Sequence, residues 1–129
     1  MDAQTILIVE DEFLIRFMLA DSLRDIGYRV LEAANGEEGL DFLTTGQAVD
    51  LMVTDVRMPG SIDGMELTRR SKSLAPRRPV IVCSAHLFEP ESDPADAFLP
   101  KPYAFAALAD AIARLIGDRW QTSSQTQSA

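Results

Sequence analysis

The sequence predicts an α/β fold, a doubly wound parallel sheet covered by helices on both faces. Three observations carry this. Strand-like and helix-like segments alternate along the chain. The strand-like runs are apolar at successive positions, as in Ile6-Leu7-Ile8-Val9 and Pro79-Val80-Ile81-Val82-Cys83, so both faces of each strand need cover. Residues able to do chemistry follow several of these runs directly. Such an alternation forms a parallel sheet with right-handed crossovers, and ligands then bind beyond the carboxyl ends of the strands.

Ile6–Val9 is the first strand. From Phe13 to Ile26 apolar residues recur at helical spacing (Ile15, Met18, Leu19, Leu23, Ile26), and Gly27 stops that helix. Tyr28–Ala33 is a short strand, Asn35-Gly36 a turn, and Glu37–Leu43 a short helix ending near Gly46. Asp50–Asp55 is the third strand and Met58–Ser61 a loop. A helix over Asp63–Leu74 takes Asp63 as its N-cap. Pro79–Cys83 is the fourth strand and Asp96–Leu99 the fifth. Ala104–Ile116 is a final amphipathic helix closed by Gly117.

A chain of 129 residues, 47% of them hydrophobic, suffices for one domain with one substantial core, and that domain is expected over residues 1–118. Residues 119–129 form a polar tail with little to bury, expected to be disordered. The net charge of −8 argues against direct nucleic-acid binding, which needs a positive face. The pairs Arg69-Arg70 and Arg77-Arg78 read as solvated surface. The N-terminus lacks the pattern of a signal peptide, and no run approaches the roughly 20 apolar residues of a membrane span. Cys83 is alone, so no internal disulfide forms. A soluble cytoplasmic protein is expected.

Glu10, Asp11 and Glu12 follow the first strand, Asp55 ends the third, Ser84 follows the fourth and Lys101 the fifth. In a parallel sheet these ends share one edge, so the groups converge on one shallow pocket. Adjacent carboxylates are tolerable if a divalent cation sits between them. Oxygen ligands without His or Cys suit Mg²⁺ or Mn²⁺, which takes one or two carboxylates and reaches out to a phosphate. Asp11 and Asp55 are the expected direct ligands, and Glu10 acts through a water. With charge masked, one carboxylate can attack phosphorus, as aspartyl-phosphate chemistry requires. Lys101 would pair with phosphoryl oxygens and the Ser84 hydroxyl would donate to another. Each residue has a plainer reading. The acidic triplet can open a helix, Asp55 and Ser84 can be turn residues, and Lys101 can be solvated. The conjunction of four strands delivering the needed groups at one edge carries the argument.

With these residues in hand, the chain resembles a receiver domain of two-component response regulators, of the stand-alone, chemotaxis-regulator type. The matching pieces are ILIVEDE, then TDVRMP with DGMEL, then VIVCSA, then FLPKPY, in that order from about Thr5 to Ile116. The resemblance implies a flavodoxin-like sheet in the order 2-1-3-4-5 with five helices. It implies Asp55 as phosphoacceptor, Asp11 as direct Mg²⁺ ligand, Glu10 as the second acidic position and the backbone carbonyl of Arg57 as a further metal contact. It also implies Ser84 as the switch hydroxyl, Lys101 as the phosphate-pairing lysine with a cis bond to Pro102, and Phe98 as the switch aromatic; the plainer reading of Phe98 is a core residue.

The chain departs from the pattern in three places. The loop Met58–Gly64 is one residue longer than the commonest form; Gly60 and Ser61 let it bulge, and little functional effect is expected. The segment Ala85–Ala97 carries Pro90 and Pro94, and a proline inside a helix costs about 3 kcal/mol, so the fourth helix is expected to be short or irregular. Pro100 is tolerable because the fifth strand is an edge strand. Arg57 and His86 stand at positions that, by resemblance, tune the phosphoryl lifetime. A cationic Arg57 is expected to slow dephosphorylation, while the plainer reading of His86 is a loop residue.

The leading expectation is a stand-alone receiver that accepts a phosphoryl group from a histidine kinase or histidine phosphotransfer protein. It would signal through an unknown protein partner or onward transfer, as a monomer or weak dimer, and would not be an enzyme in its own right. The alternative is a phosphorylation-independent binding module, against which the complete set of Glu10, Asp11, Asp55, Ser84 and Lys101 argues. A small Mg²⁺-dependent phosphatase would carry a second Asp two residues after the nucleophile, where this chain has Arg57. Excision from a larger hybrid kinase is disfavoured by Met1 and the polar tail.

Overall fold

The computed structural model describes residues 3–85 and 95–117. Five parallel strands form one sheet in the order β2-β1-β3-β4-β5. They are β1 (Thr5–Val9), β2 (Arg29–Ala33), β3 (Leu51–Asp55), β4 (Val80–Ser84) and β5 (Ala97–Pro100). Four helices lie among the described residues: α1 (Phe13–Asp25), α2 (Gly36–Thr44), α3 (Gly64–Lys72) and α4 (Phe105–Ile116). The short or irregular helix expected between Ala85 and Ala97 falls on residues 86–94, outside the described residues, as does the tail.

Continuous apolar runs became the strands covered on both sides. Every residue of β1, β3 and β4 is buried. Side chains alternate across a strand, so each run feeds two cores. Ile6, Ile8, Val53 and Ile81 pack under α1 and α4, against Leu23, Leu108 and Ile112. Leu7, Val9, Met52 and Val82 pack under α2 and α3, against Leu43 and Leu67. Among the described residues β5 pairs only with β4, which leaves Pro100 on an edge strand, where its missing N–H costs least.

Local chemistry sets the helix starts. Asn35 Oδ1 accepts the Glu38 N–H at 2.8 Å, while Glu38 Oε1 accepts the Ala34 N–H at 2.7 Å, a reciprocal cap at the start of α2. Asn35-Gly36 is therefore a helix start rather than a turn. Gly36 is required by space, because a Cβ there would lie 2.2 Å from the Ile62 carbonyl oxygen. Asp63 caps α3 as its sequence predicts, accepting the Glu66 N–H at 2.9 Å. At the end of α1, Gly27 takes φ +109°, a conformation glycine adopts without cost.

One helix differs from expectation. Of the apolar stripe Ile15, Met18, Leu19, Leu23 and Ile26, only Leu23 is fully buried. Met18 is 59% exposed, and Phe13, Leu14 and Phe17 are exposed beside it. The buried face of α1 is carried by Ala20 and Leu23 instead, a narrower contact than the apolar content predicts.

Candidate functional site

The carboxyl ends of the strands form one edge. Glu10 leaves β1, Asp55 ends β3, Ser84 ends β4, and Lys101 follows β5. Glu10 and Asp55 are buried at 4% and 8% exposure, whereas Asp11 is exposed. One carboxylate oxygen from each of Glu10, Asp11 and Asp55 lies within 4.8 Å of the others. The Lys101 ammonium sits 2.6 Å from Asp55 Oδ1 and 3.5 Å from Glu10 Oε1. The Lys101 N–H donates to the Ser84 carbonyl at 2.8 Å, and the Lys101–Pro102 bond is cis.

The acidic turn is held from behind. Glu10 Oε2 accepts the Glu12 N–H at 3.1 Å. Arg16 Nη1 donates to the Glu10 carbonyl at 2.8 Å, and its guanidinium pairs with Glu32 and stacks over Phe13. Charge is crowded nonetheless. Burial, the hydrogen bond with Asp55 and the Asp55 charge together push the Glu10 carboxyl up to about 7, against the pull of the Glu12 amide and Lys101. Burial alone would lower the Lys101 ammonium, but the hydrogen bond to Asp55 and the charges of Asp55 and Glu10 outweigh it and hold it above its ordinary value. Cys83, paired in register with Asp55, hydrogen-bonds Tyr103, and burial pushes its thiol up to about 12.

Residues 6–113 match the family model of the response regulator receiver domain. The chain is a response regulator receiver domain. It is 30% identical to sporulation initiation phosphotransferase F of Bacillus subtilis, over 88% of this chain and 94% of that protein. It is 36% identical to the sensor kinase CckA of Brucella abortus over 87% of this chain, but spans only 12% of that kinase. Its structure superposes on a receiver protein from Sinorhizobium medicae with a TM-score of 0.82 at 31% identity, covering 88% of this chain and 94% of the other. It also matches the Thermotoga maritima response regulator TrrA, crystallised with Mg²⁺-BeF, with a TM-score of 0.78 at 31% identity, covering 87% and 98%.

The receiver's acidic residues fit a divalent cation. Three carboxylates cluster where the one ammonium of Lys101 reaches two of them, an excess of negative charge in a partly buried place. The donors are all oxygen, which suits Mg²⁺ or Mn²⁺. Of the residues singled out in the sequence, the receiver brings Glu10, Asp11, Asp55 and Lys101 together. Ser84 is buried at the end of β4, next to the residue paired with Asp55. Arg57 is exposed on the loop two residues past Asp55. Phe98 is half-buried on β5 against the α2–α3 core, three residues before Lys101. His86 lies outside the described residues.

Sequence reasoning missed Arg16 and Tyr103. Arg16 sits six residues past the carbonyl it grips, on a helix whose polar residues otherwise read as solvent-facing. A cleft of about 540 Å³ was missed as well; it runs from Lys101 and Tyr103 along Ile15, Met18 and Leu19 of α1. None of the described helices is long and apolar enough to cross a membrane.

Proposed function

We propose that this receiver accepts a phosphoryl group from a phosphohistidine donor, a histidine kinase or a histidine phosphotransfer protein, onto Asp55 in a Mg²⁺-dependent reaction. The observation that carries the reading is the buried Asp55 carboxylate, gripped by Lys101 at 2.6 Å and flanked by Glu10 and Asp11. An Asp55 oxygen forms a bond to phosphorus as the phosphorus–nitrogen bond of the donor breaks. The electron pair stays on the imidazole nitrogen, which takes a proton. Lys101 holds the nucleophile in place beforehand and then pairs with the phosphoryl oxygens that replace the carboxylate charge. A bound Mg²⁺, held by Asp11 and Asp55, with Glu10 acting through a water and the Arg57 carbonyl completing the set, would neutralise the carboxylates so that a phosphoryl group can approach.

The donor is a protein, and the surface beside the site suits one. Phe13, Leu14, Phe17 and Met18 present exposed apolar side chains at the amino end of α1, next to the acidic turn. We assign Ser84 and Phe98 as the switch pair that reports the phosphoryl group to a downstream protein or relay. We assign Arg57, a cation two residues past Asp55, the role of obstructing an attacking water, so an Arg57→Asn variant should lose its phosphoryl group faster. A phosphoryl lifetime unchanged in that variant removes Arg57 from the scheme. Each chain turns over only its own phosphoryl group, so we do not assign it as an enzyme acting on a separate substrate.

Acetyl phosphate with Mg²⁺, read by intact mass, tests the reading. Wild type should gain one phosphoryl group, Asp55→Asn none, and chelation of Mg²⁺ should abolish the gain. Uptake by Asp55→Asn at the wild-type level would falsify the assignment, and no uptake by a Mg²⁺-binding wild type would favour a phosphorylation-independent binding module.

A further inference from the structure

We propose that Glu37 is a positioning residue for the phosphoryl site. Its carboxylate, on α2, anchors the tip of the loop that leads away from Asp55. The proposal rests on the reading of Asp55 as phosphoacceptor.

The loop runs from Val56 to Asp63 and is pinned at two places. Its base is closed by the Gly64 N–H, which donates to the Val56 carbonyl at 2.8 Å. The fit there is so close that a Cβ on Gly64 would lie 1.7 Å from the Asp55 carbonyl oxygen. Its tip is held by Glu37, whose Oε2 accepts both the Ser61 N–H at 2.9 Å and the Ser61 hydroxyl at 2.7 Å. Gly60 takes φ +102°, and a Cβ there would meet Glu37 Oε1 at 2.8 Å. Ile62 presses its carbonyl on Gly36. Three consecutive loop residues thus seat on the first two residues of α2. Arg57 and Met58, next to Asp55 in the chain, hang between base and tip.

An acidic residue in the first turn of a helix commonly serves the helix itself. Glu37 is not needed for that. Asn35 and Glu38 already cap α2, and the Glu37 carboxylate, besides meeting its own backbone N–H, takes both the N–H and the hydroxyl of Ser61. The loop, one residue longer than the commonest receiver form, carries Gly60 and Ser61 at its tip, and Glu37 holds that tip against α2.

The test compares wild type with Glu37→Ala, Ser61→Ala, the double variant and Glu37→Gln. Mg²⁺ binding is titrated by calorimetry on the unphosphorylated chain. Phosphoryl lifetime is read by intact mass after acetyl phosphate is removed, and thermal melts record folding. Glu37→Ala should raise the Mg²⁺ half-saturation about tenfold, the low end of what losing an outer-shell partner of a metal site costs, and change the lifetime. The double variant should be no worse than Glu37→Ala, because the two side chains form one contact. Glu37→Gln keeps acceptor oxygen and should stay near wild type. If Glu37→Ala folds and keeps the wild-type half-saturation and lifetime, Glu37 serves only α2 and the proposal fails. If Glu37→Ala does not fold, Ser61→Ala decides by the same two readouts. If wild type takes no phosphoryl group, the Asp55 reading fails, and the Mg²⁺ titration still decides whether Glu37 positions the loop.

Discussion

The two edges of the same sheet treat charge in opposite ways. At the amino edge, charged groups find partners that lock strands to one another. Asp50 accepts the Thr5 N–H at 2.7 Å. Asp96 accepts the Val80 N–H at 2.8 Å and pairs with Lys72, whose ammonium also reaches the Arg78 carbonyl. The buried Arg78 guanidinium donates to the Val49 carbonyl and the Ser71 hydroxyl. At the carboxyl edge Glu10 and Asp55 share one lysine with Asp11 beside them, and burial together with Asp55 pushes the Glu10 carboxyl up to about 7. One edge is satisfied and stabilises the domain. The other keeps an excess of carboxylates at the strand ends, an arrangement that fits a divalent cation.

That contrast can be broken by experiment. The largest effect should come from Lys101→Met, which removes the cation from Asp55. Acetyl phosphate uptake, followed by intact mass, should fall roughly 100-fold, the usual loss of one preorganised electrostatic donor. Uptake within a few-fold of wild type would mean that Lys101 is only a structural partner. Next is Asp96→Ala at the opposite edge. It leaves the Val80 N–H without its acceptor and Lys72 with the Arg78 carbonyl but no carboxylate, and should cost about 2 kcal/mol in denaturant unfolding. Its phosphoryl uptake should match wild type, and a loss of uptake without a loss of stability would dissolve the division between edges.

A smaller effect sharpens the comparison through pH. In the metal-free chain Glu10 titrates near 7 in the folded state and at 4.5 ordinarily, so the folded state binds more protons between those values. Stability from this group is full below about 4.5 and is lost as pH rises to 7, by on the order of 3 kcal/mol. Thermal melts of Glu10→Gln should lack that slope, and Mg²⁺ should restore stability to wild type above pH 7. A wild-type melt that rises over this window would contradict the charge imbalance. The smallest effect belongs to the exposed pair Arg69–Glu66. Arg69→Ala should change stability by less than about 0.5 kcal/mol in the same unfolding assay and leave phosphorylation alone.

Much of this was legible in the sequence for a simple reason. Apolar runs buried on both faces mark parallel strands, and the residue after each run must lie on the shared edge, so Glu10, Asp55 and Lys101 were placed together without a structure. Contacts that depend on how far a helix leans were not legible. The spacing of Ile15, Met18 and Ile26 reads the same whether or not a neighbour covers them. Asn35-Gly36 reads as a turn until the Ile62 carbonyl shows why glycine begins a helix there. Glu37 looks like an ordinary first-turn acid because its partner lies 24 residues away.

The thiol of Cys83 has a practical consequence. It is the chain's one cysteine, it lies at 2% exposure on β4 beside β3, and burial keeps it protonated at neutral pH. Such a thiol is inert toward alkylating reagents and mild oxidants. The proposed phosphoryl site is therefore kept clear of thiol chemistry, even though Cys83 pairs in register with Asp55. A cysteine placed on the exposed face of α1, at Leu14 for instance, becomes the one position that maleimide chemistry can reach. The native chain is ready for fluorophore or spin-label work with its own sulfur left in place.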